Sequence, residues 1–412
     1  MSLAVISVIA LATAVIVSCF SPVNVGVLAI ALAWIVGVYI GGLPLNTVLA
    51  GFPTSLFLTL TGVTLLFALA QCNGTLERLT HQAVRICRGN RGVIPIMFFL
   101  LGAALSSMGP GNISTAALLA PLAMATAVQS KIPLFLMAIM VGNGANAGAL
   151  SPFAPTGIIV NGLMTRNQLP GYEVQTYFYN LGAHAIIAFA GYAIFGGLKL
   201  FGTGHASVPA LEDGSEATFQ RRHWLTIAVI AALILSVLIA GIPVGMGAFV
   251  GALILAMTRA ADDGDAIKRM PWRVIVMVCG VTVLIALVER AQGIDLLVGL
   301  VAKIASAGTV TFVVAFLTAI VSVYSSTSGV VLPAFLPMVP GLAAALPGAS
   351  ALAIASSMNI GGHLVDVSPL STIGALCLAG APPDESRSLF NKLLAWGLSM
   401  SVVGAALCYL IF

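Results

Sequence analysis

The chain has 412 residues, of which 59% are hydrophobic and only 7% charged, at a mean hydropathy of +1.09. That composition excludes a soluble globular domain and defines a polytopic membrane protein. The net charge of +4 says little about partners until the charges are placed, and no nucleic-acid partner is expected.

The first twenty residues are apolar with no basic n-region, so they read as a retained span and not as a signal peptide. The first two spans cover residues 2–20 and 23–40, and the third 53–72. Residues 74–91 form a basic amphipathic segment carrying Arg78, Arg85, Arg88 and Arg91, suited to the membrane surface. Next come apolar runs at 92–105 and 116–128, separated by the polar stretch Ser106–Thr115. Spanning a bilayer takes about 20 residues, so each run falls short. Two short arms around a polar tip read as a re-entrant hairpin, with a surface loop as the alternative. A polar-broken span at 133–164 and a closing span at 177–200 complete this half.

Residues 202–222, with Pro209, Glu212, Asp213 and Glu216, form a hydrophilic linker. The order then repeats. Spans are expected at 224–240, 244–257 and 272–288, an amphipathic connector at 293–308, and a second hairpin at 309–348. Its polar tip is Ser322–Gly329. A broken span at 351–379 and a closing span at 393–412 follow. Pro121 pairs with Pro337, Ser151-Pro152 with Ser368-Pro369, and Gly62-Val63-Thr64 with Gly280-Val281-Thr282, all at a near-constant offset. The chain is read as an internal duplication, residues 1–201 and 223–412, joined by 202–222.

Each copy has five crossings and one hairpin. Five is odd, so the second copy must lie inverted relative to the first, as in secondary transporters. With both termini outside, this topology puts fourteen of the 17 Lys and Arg on one face and only Arg166, Arg290 and Lys303 on the other. That asymmetry follows the positive-inside rule and places the chain in the inner (plasma) membrane as a multi-pass protein. The fold expected is all-α.

Four helix N-termini are expected to converge at the midplane: the returning arms near Asn112 and near Thr327-Ser328, and the breaks at Ser151-Pro152 and Ser368-Pro369. There a serine would cap and proline would occupy the first helical position. Free N–H groups and helix dipoles make an anion site without Arg or Lys, and none lies near any tip or break in sequence. The candidate anion-binding residues are Asn112, Ser114, Asn146, Ser151, Thr327, Ser328, His363 and Ser368. Carbonyls and hydroxyls at the same ends suit a hard monovalent cation. One set is Ser107, Asn112 and the backbone around Gly144–Gly148; the other is Val323 (backbone), Ser326, Ser328 and the backbone around Gly361–Val365, Gly362 included. For each Ser or Asn alone, helix capping is the alternative role.

His363 and Asp366 occur in the second copy only. An intramembrane acid points to function. The pair is open to three readings: a hydrogen-bonded brace for the break, a proton site, or an acid assisting a cation. The six cysteines, Cys19, Cys72, Cys87, Cys279, Cys377 and Cys408, show no metal or disulfide spacing. Small-residue runs such as Gly41-Gly42 suggest close helix packing and a subunit interface.

The tips and breaks together resemble the ion transporter superfamily, and within it the MatC-type malonate/dicarboxylate carriers, relatives of the divalent-anion–sodium symporters. In those symporters each tip carries Ser-Asn-Thr ahead of a proline. Counting back ten residues from Pro121 and Pro337 gives Gly111-Asn112-Ile113 and Thr327-Ser328-Gly329. Ser107 resembles a cation-binding serine of the family. The resemblance implies a homodimeric elevator, with scaffold parts 1–91 and 223–308 and transport parts 92–201 and 309–412. It also implies a small dicarboxylate substrate and sodium as the coupling ion. A proton-coupled carrier using Asp366 and His363, an anion channel, and an intramembrane enzyme are the competing readings. No further catalytic constellation accompanies the last.

Overall fold

The computed structural model describes residues 2–21, 23–86, 90–202 and 219–412. The Arg85 side chain, Cys87, Arg88 and most of the expected linker, with Pro209, Glu212, Asp213 and Glu216, lie outside the described residues. Everything regular among the described residues is helical, and eight helices are long and apolar enough to cross a membrane. With no water in the hydrocarbon, only structures that satisfy their own backbone can stand there.

Helix boundaries fall where the sequence punctuates them. The helix Leu3–Phe20 is capped by Ser2, whose side chain accepts from the Val5 amide. Val25–Trp34 starts at the Asn24 cap and widens into a π-helix over Ile35–Ile40. Prolines precede Thr54–Cys72, Val244–Met257 and Trp272–Arg290. Two short helices, Leu45–Leu49 and Asp263–Arg269, sit in what the sequence reads as connections. The last helix, Pro383–Ile411, starts well before the expected closing span. Its first turn carries Pro383, Asp384 and Glu385, residues that favour a helix start and that a search for apolar runs passes over.

The element order repeats. Helices starting at Leu3, Val25, Thr54, Thr75, Val93, Leu134 and Pro155 recur at Arg221, Val244, Trp272, Gly293, Val310, Ala351 and Thr372, with nearly the same spacing each time. Contacts are exchanged between the halves in the same way. Val25–Trp34 crosses Trp272–Arg290 at Gly26 and Gly280, where a Cβ on either would collide with the facing backbone. Thr54–Cys72 crosses Val244–Met257 at Gly62 and Gly245 with the same intimacy. Between apolar helices in lipid, such close backbone approach supplies the attraction that water would otherwise provide.

Two large apolar clusters result, with a small third one of Ala116, Ala145 and Ile373. One is built on the helices before residue 77 and between 230 and 301, and it also takes in the returning arm of the second hairpin through Val330, Leu336 and Leu342. The other gathers the first hairpin, the first halves of both broken spans and both closing helices around Phe98, Met137, Ile139 and Leu393.

Candidate substrate and cation site

The first tip is tighter than the sequence suggests. Val93–Met108 and Gly111–Gln129 are joined by Gly109 and Pro110 alone. Gly109 has φ +141°, and a Cβ there would collide with the Phe67 ring of the helix Thr54–Cys72. The polar residues from Asn112 to Thr115 thus join the returning helix, which reaches 19 residues. Asn112 sits in its first turn, where N–H groups have no intrahelical partner. Its side chain is turned inward: Nδ2 donates to Asn146 Oδ1 at 2.9 Å, and Oδ1 accepts from Thr156 Oγ1 at 3.5 Å. Asn146 Nδ2 in turn donates to the His363 carbonyl at 3.4 Å, so one amide chain joins the first tip, the first break and the second break.

Ser107 is held by its surroundings. Its hydroxyl lies 2.6 Å from the Ala103 carbonyl and 2.9 Å from Tyr177 Oη, and its carbonyl accepts from Ser151 Oγ at 2.6 Å. Gly148 packs against it so closely that a Cβ would come within 2.7 Å of Ser107 Oγ. Gly144 packs on Phe99 in the same helix contact.

The second tip is looser, spanning Val323–Ser326 between Val310–Ser322 and a π-turn at Thr327–Val331. Ser326 caps that turn, its Oγ accepting from the Gly329 amide at 3.2 Å. Pro333, Pro337 and Pro340 then cut the returning arm into short pieces, because each removes a backbone donor. Thr327 is buried, with its hydroxyl 2.8 Å from Asp366 Oδ1 and 3.3 Å from the Gly362 carbonyl. A hydroxyl has one proton, so the shorter contact, to Asp366, is the bond it makes.

A cavity of about 390 Å³ opens between these pieces. Asn112 and Ile113 of the first tip, Tyr324–Ser328 of the second, and Asp366 with Ser371–Ile373 of the second break form one side. Ser18 and Ser21 of the first helix and Arg273, Val274 and Met277 of Trp272–Arg290 form the other. Ser18 and Ser325 hydroxyls meet across it at 2.6 Å.

Several expectations are corrected. Ser151 and Ser368 cap no helix. The helices start later, at Pro155 and Thr372, behind Ala154 and Ser371. A residue before proline is pushed out of the helical region, as Ser368 shows at φ −63°, ψ 146°, so each Ser-Pro pair builds the turn itself. Three of the four N-termini line the cavity. The fourth, at Pro155, stands behind Gly111, while Pro152 faces a separate cavity of about 780 Å³ with Arg166 and Glu173. Ser114 faces a narrow crevice with Phe67, Gln71 and Arg269. Asn146 and His363 are fully buried and are not in the cavity wall. His363 and Asp366 are not bonded to each other: His363 Nδ1 turns back to the Asn359 carbonyl at 2.8 Å, while the chain tightens into a 3₁₀ turn that delivers Asp366 to Thr327. The site is also not free of cations, since Arg273 borders the cavity and Arg269 the crevice at the first tip. Both come from distant sequence, which is why inspection around the tips misses them.

Two further residues have the properties of cation ligands. Ser106 and Ser322 end the first arms of the two hairpins and occupy matching positions in the two halves. Both are buried, and neither hydroxyl has a hydrogen-bond partner among the described residues. A buried unpaired hydroxyl costs about 1–3 kcal/mol, and a hard cation accepting its lone pairs would recover that cost. In the second set Val323 follows Ser322 directly, and Gly362 is placed so that a Cβ would come 3.2 Å from Ser322 Oγ. Among the described residues no cluster of three His, Cys, Asp or Glu side chains could hold a transition metal.

Paired helical hairpins, broken helices and a polar cavity between them, in a chain with eight helices able to cross a membrane, fit a multi-pass membrane transporter. Residues 1–149 match the family described as the dicarboxylate carrier protein MatC N-terminus, in agreement with the resemblance read from the tips. Among solved structures, the Alcanivorax borkumensis YdaH transporter shares the fold at a TM-score of 0.59 and 17% identity, over 88% of this chain and 87% of that one. The family and the structural neighbour are transporters, not enzymes. None of the curated proteins compared with the chain matches it.

Proposed function

We propose that the protein is a secondary active carrier that imports a small dicarboxylate, malonate or a C4 diacid, together with sodium. The observation that carries this reading is the cavity where both tips and the second break meet. Its walls offer helix N-termini, hydroxyls and Asp366, and the elevator reading puts the seam between moving and fixed parts through it. One sodium would be held by Ser106, Ser107, Asn112 and the backbone around Gly144–Gly148. The other would be held by Ser322, Ser326, Ser328, the Val323 carbonyl and the backbone at Gly362. Bound sodium supplies the positive charge that lets a dianion enter the membrane.

The halves are arranged as inverted repeats in this reading. The odd number of crossings per half and the reciprocal Gly26–Gly280 and Gly62–Gly245 crossings support it. The scaffold would hold the first three spans of each half, in a homodimer. The tips, broken spans and closing helices would move as an elevator. On the positive-inside rule the face bearing Arg269 and Arg273 is cytoplasmic, so the cavity opens inward. In a cysteine-free background, a cysteine at the exposed Gly264 should be labelled only from the cytoplasm and one at the exposed Gln175 only from outside. The opposite pattern would overturn the orientation.

The coupling test is uptake of labelled malonate and succinate into proteoliposomes under a sodium gradient alone, then a proton gradient alone. Sodium should drive uptake at least about tenfold above the gradient-free control, roughly what one 1.4 kcal/mol difference provides. A proton-coupled carrier is the second reading, because Asp366 lines the cavity. Uptake driven by protons and indifferent to sodium would establish it instead.

A further inference from the structure

Arg273 is the residue carrying a full positive charge among those that line the cavity, and it belongs to the scaffold helix Trp272–Arg290. Lining the cavity with it are the uncharged polar residues Asn112, Ser326 and Ser328 and one acid, Asp366. At about 390 Å³ the cavity is within the range of small-ligand sites. A diacid bound with one carboxylate on the helix N-termini needs a partner for the other, and Asp366 repels it. Arg273 is itself engaged within the protein, but a guanidinium has five N–H donors, so it can hold a carboxylate as well. Its helix is pinned by the Gly26–Gly280 crossing and by the Arg273 carbonyl, which accepts from Asn24 Nδ2 at 2.9 Å. The charge therefore stays with the scaffold while the tips move.

We propose that Arg273 is the residue that selects dicarboxylates over monocarboxylates: it takes the distal carboxylate at the inward-opening cavity, while the hairpin tips hold the proximal one. The proposal rests on the carrier reading above. It makes the selectivity one-sided. Arg273 meets the substrate only when the tips are beside it, so it acts on binding and release at the Arg-rich face. Arg269 is the internal comparison. It lies one turn away in sequence but borders the crevice at Gly109, Pro110 and Ser114, so it contributes field without contact.

The test is binding of malonate, succinate and propionate to the purified full-length protein in sodium, followed by ligand-induced thermal shift. Wild type, Arg273→Gln, Arg273→Lys, Arg269→Gln and Asn112→Ala are compared, each accepted only if its ligand-free melting temperature matches wild type. Losing a charge-assisted contact should weaken malonate binding by about tenfold to a hundredfold in Arg273→Gln, with propionate unchanged. Arg273→Lys should recover part of the loss, and Arg269→Gln should behave as wild type. Equal losses for malonate and propionate, or the same loss in Arg269→Gln, would overturn the assignment. Wild-type affinity in Arg273→Gln alongside weakened binding in Asn112→Ala would sink this proposal and leave the carrier reading standing. Wild-type protein that binds neither malonate nor succinate would sink both.

Discussion

Cysteines placed at Ser18 and Ser325 should, once oxidised, stop transport altogether, and a reductant should restore it. The two hydroxyls are 2.6 Å apart, Ser18 on the first helix and Ser325 on the second tip. That contact puts the two side chains within reach of each other, and a disulfide requires the Cβ atoms about 3.8 Å apart. In the proposed elevator the helix is scaffold and the tip moves, so a covalent bond between them freezes the step. The neighbouring Cys19 must be removed first, since its sulfur lies 4.0 Å from Ser18 Oγ. Weaker links across the seam should matter far less. Arg166 and Glu289 pair at 2.8 Å, but their side chains are 34% and 31% exposed. An ion pair so open to solvent is worth about 0–1 kcal/mol, so Glu289→Gln should change uptake less than about fivefold. Fully cross-linked protein that transports at the rate of the single-cysteine variants would show that tip and helix travel together. The division into moving and fixed parts would then be wrong.

The sequence makes the architecture legible where chemistry is punctuated. Gly-Pro-Gly at 109–111 and the three prolines after Thr327 announce the tips, and a near-constant offset between matching landmarks announces the duplication. Span boundaries hold closely at Ser2, Asn24, Pro53, Pro243 and Pro271, where a capping side chain or a proline precedes the helix. They fail at Pro383, because the first turn of that helix is polar and reads as a connection. Within the site, Asn112, Thr327, Ser328 and Asp366 are legible as polar groups in apolar surroundings, and all four line the cavity. What sequence could not supply is direction. Asn146 and His363 are equally conspicuous polar residues, yet the turn of their helices points them into the core. The Ser-Pro pairs mislead for a local reason: the motif that can start a helix also bends the chain, and here the bend wins. Arg273 at the cavity and the Ser18–Ser325 contact join segments far apart in the chain, and no reading of one tip at a time finds them.

Replacing Asp366 by asparagine should leave the protein folded and cut concentrative uptake by about tenfold, because the extra cation that the charge recruits no longer adds its gradient, about 1.4 kcal/mol, to the driving force. The amide keeps the shape and an oxygen that can accept from Thr327, which now bonds Asp366 Oδ1 at 2.8 Å. It removes only the charge. Charge is what the site must balance. A malonate dianion and an ionised Asp366 bring three negative charges to the moving part, so two sodium ions leave one uncompensated. Carrying that charge against an inside-negative potential costs about 2.3 kcal/mol per 100 mV, a factor of about fifty in equilibrium. A third cation, or a proton on Asp366, removes the penalty, so the carboxylate fixes how many positive charges accompany each substrate. Asp366→Asn should therefore change the charge moved per substrate by one, measured as current against labelled uptake at set potentials. Asp366→Ala should lose uptake equally and also stability, because the buried Thr327 hydroxyl is left only the longer contact to Gly362. That extra cost should be about 1 kcal/mol, the scale of a hydrogen bond between membrane helices. Wild-type uptake and wild-type charge movement in Asp366→Asn, with loss confined to Asp366→Ala, would reduce Asp366 to an acceptor that holds the second tip to the break.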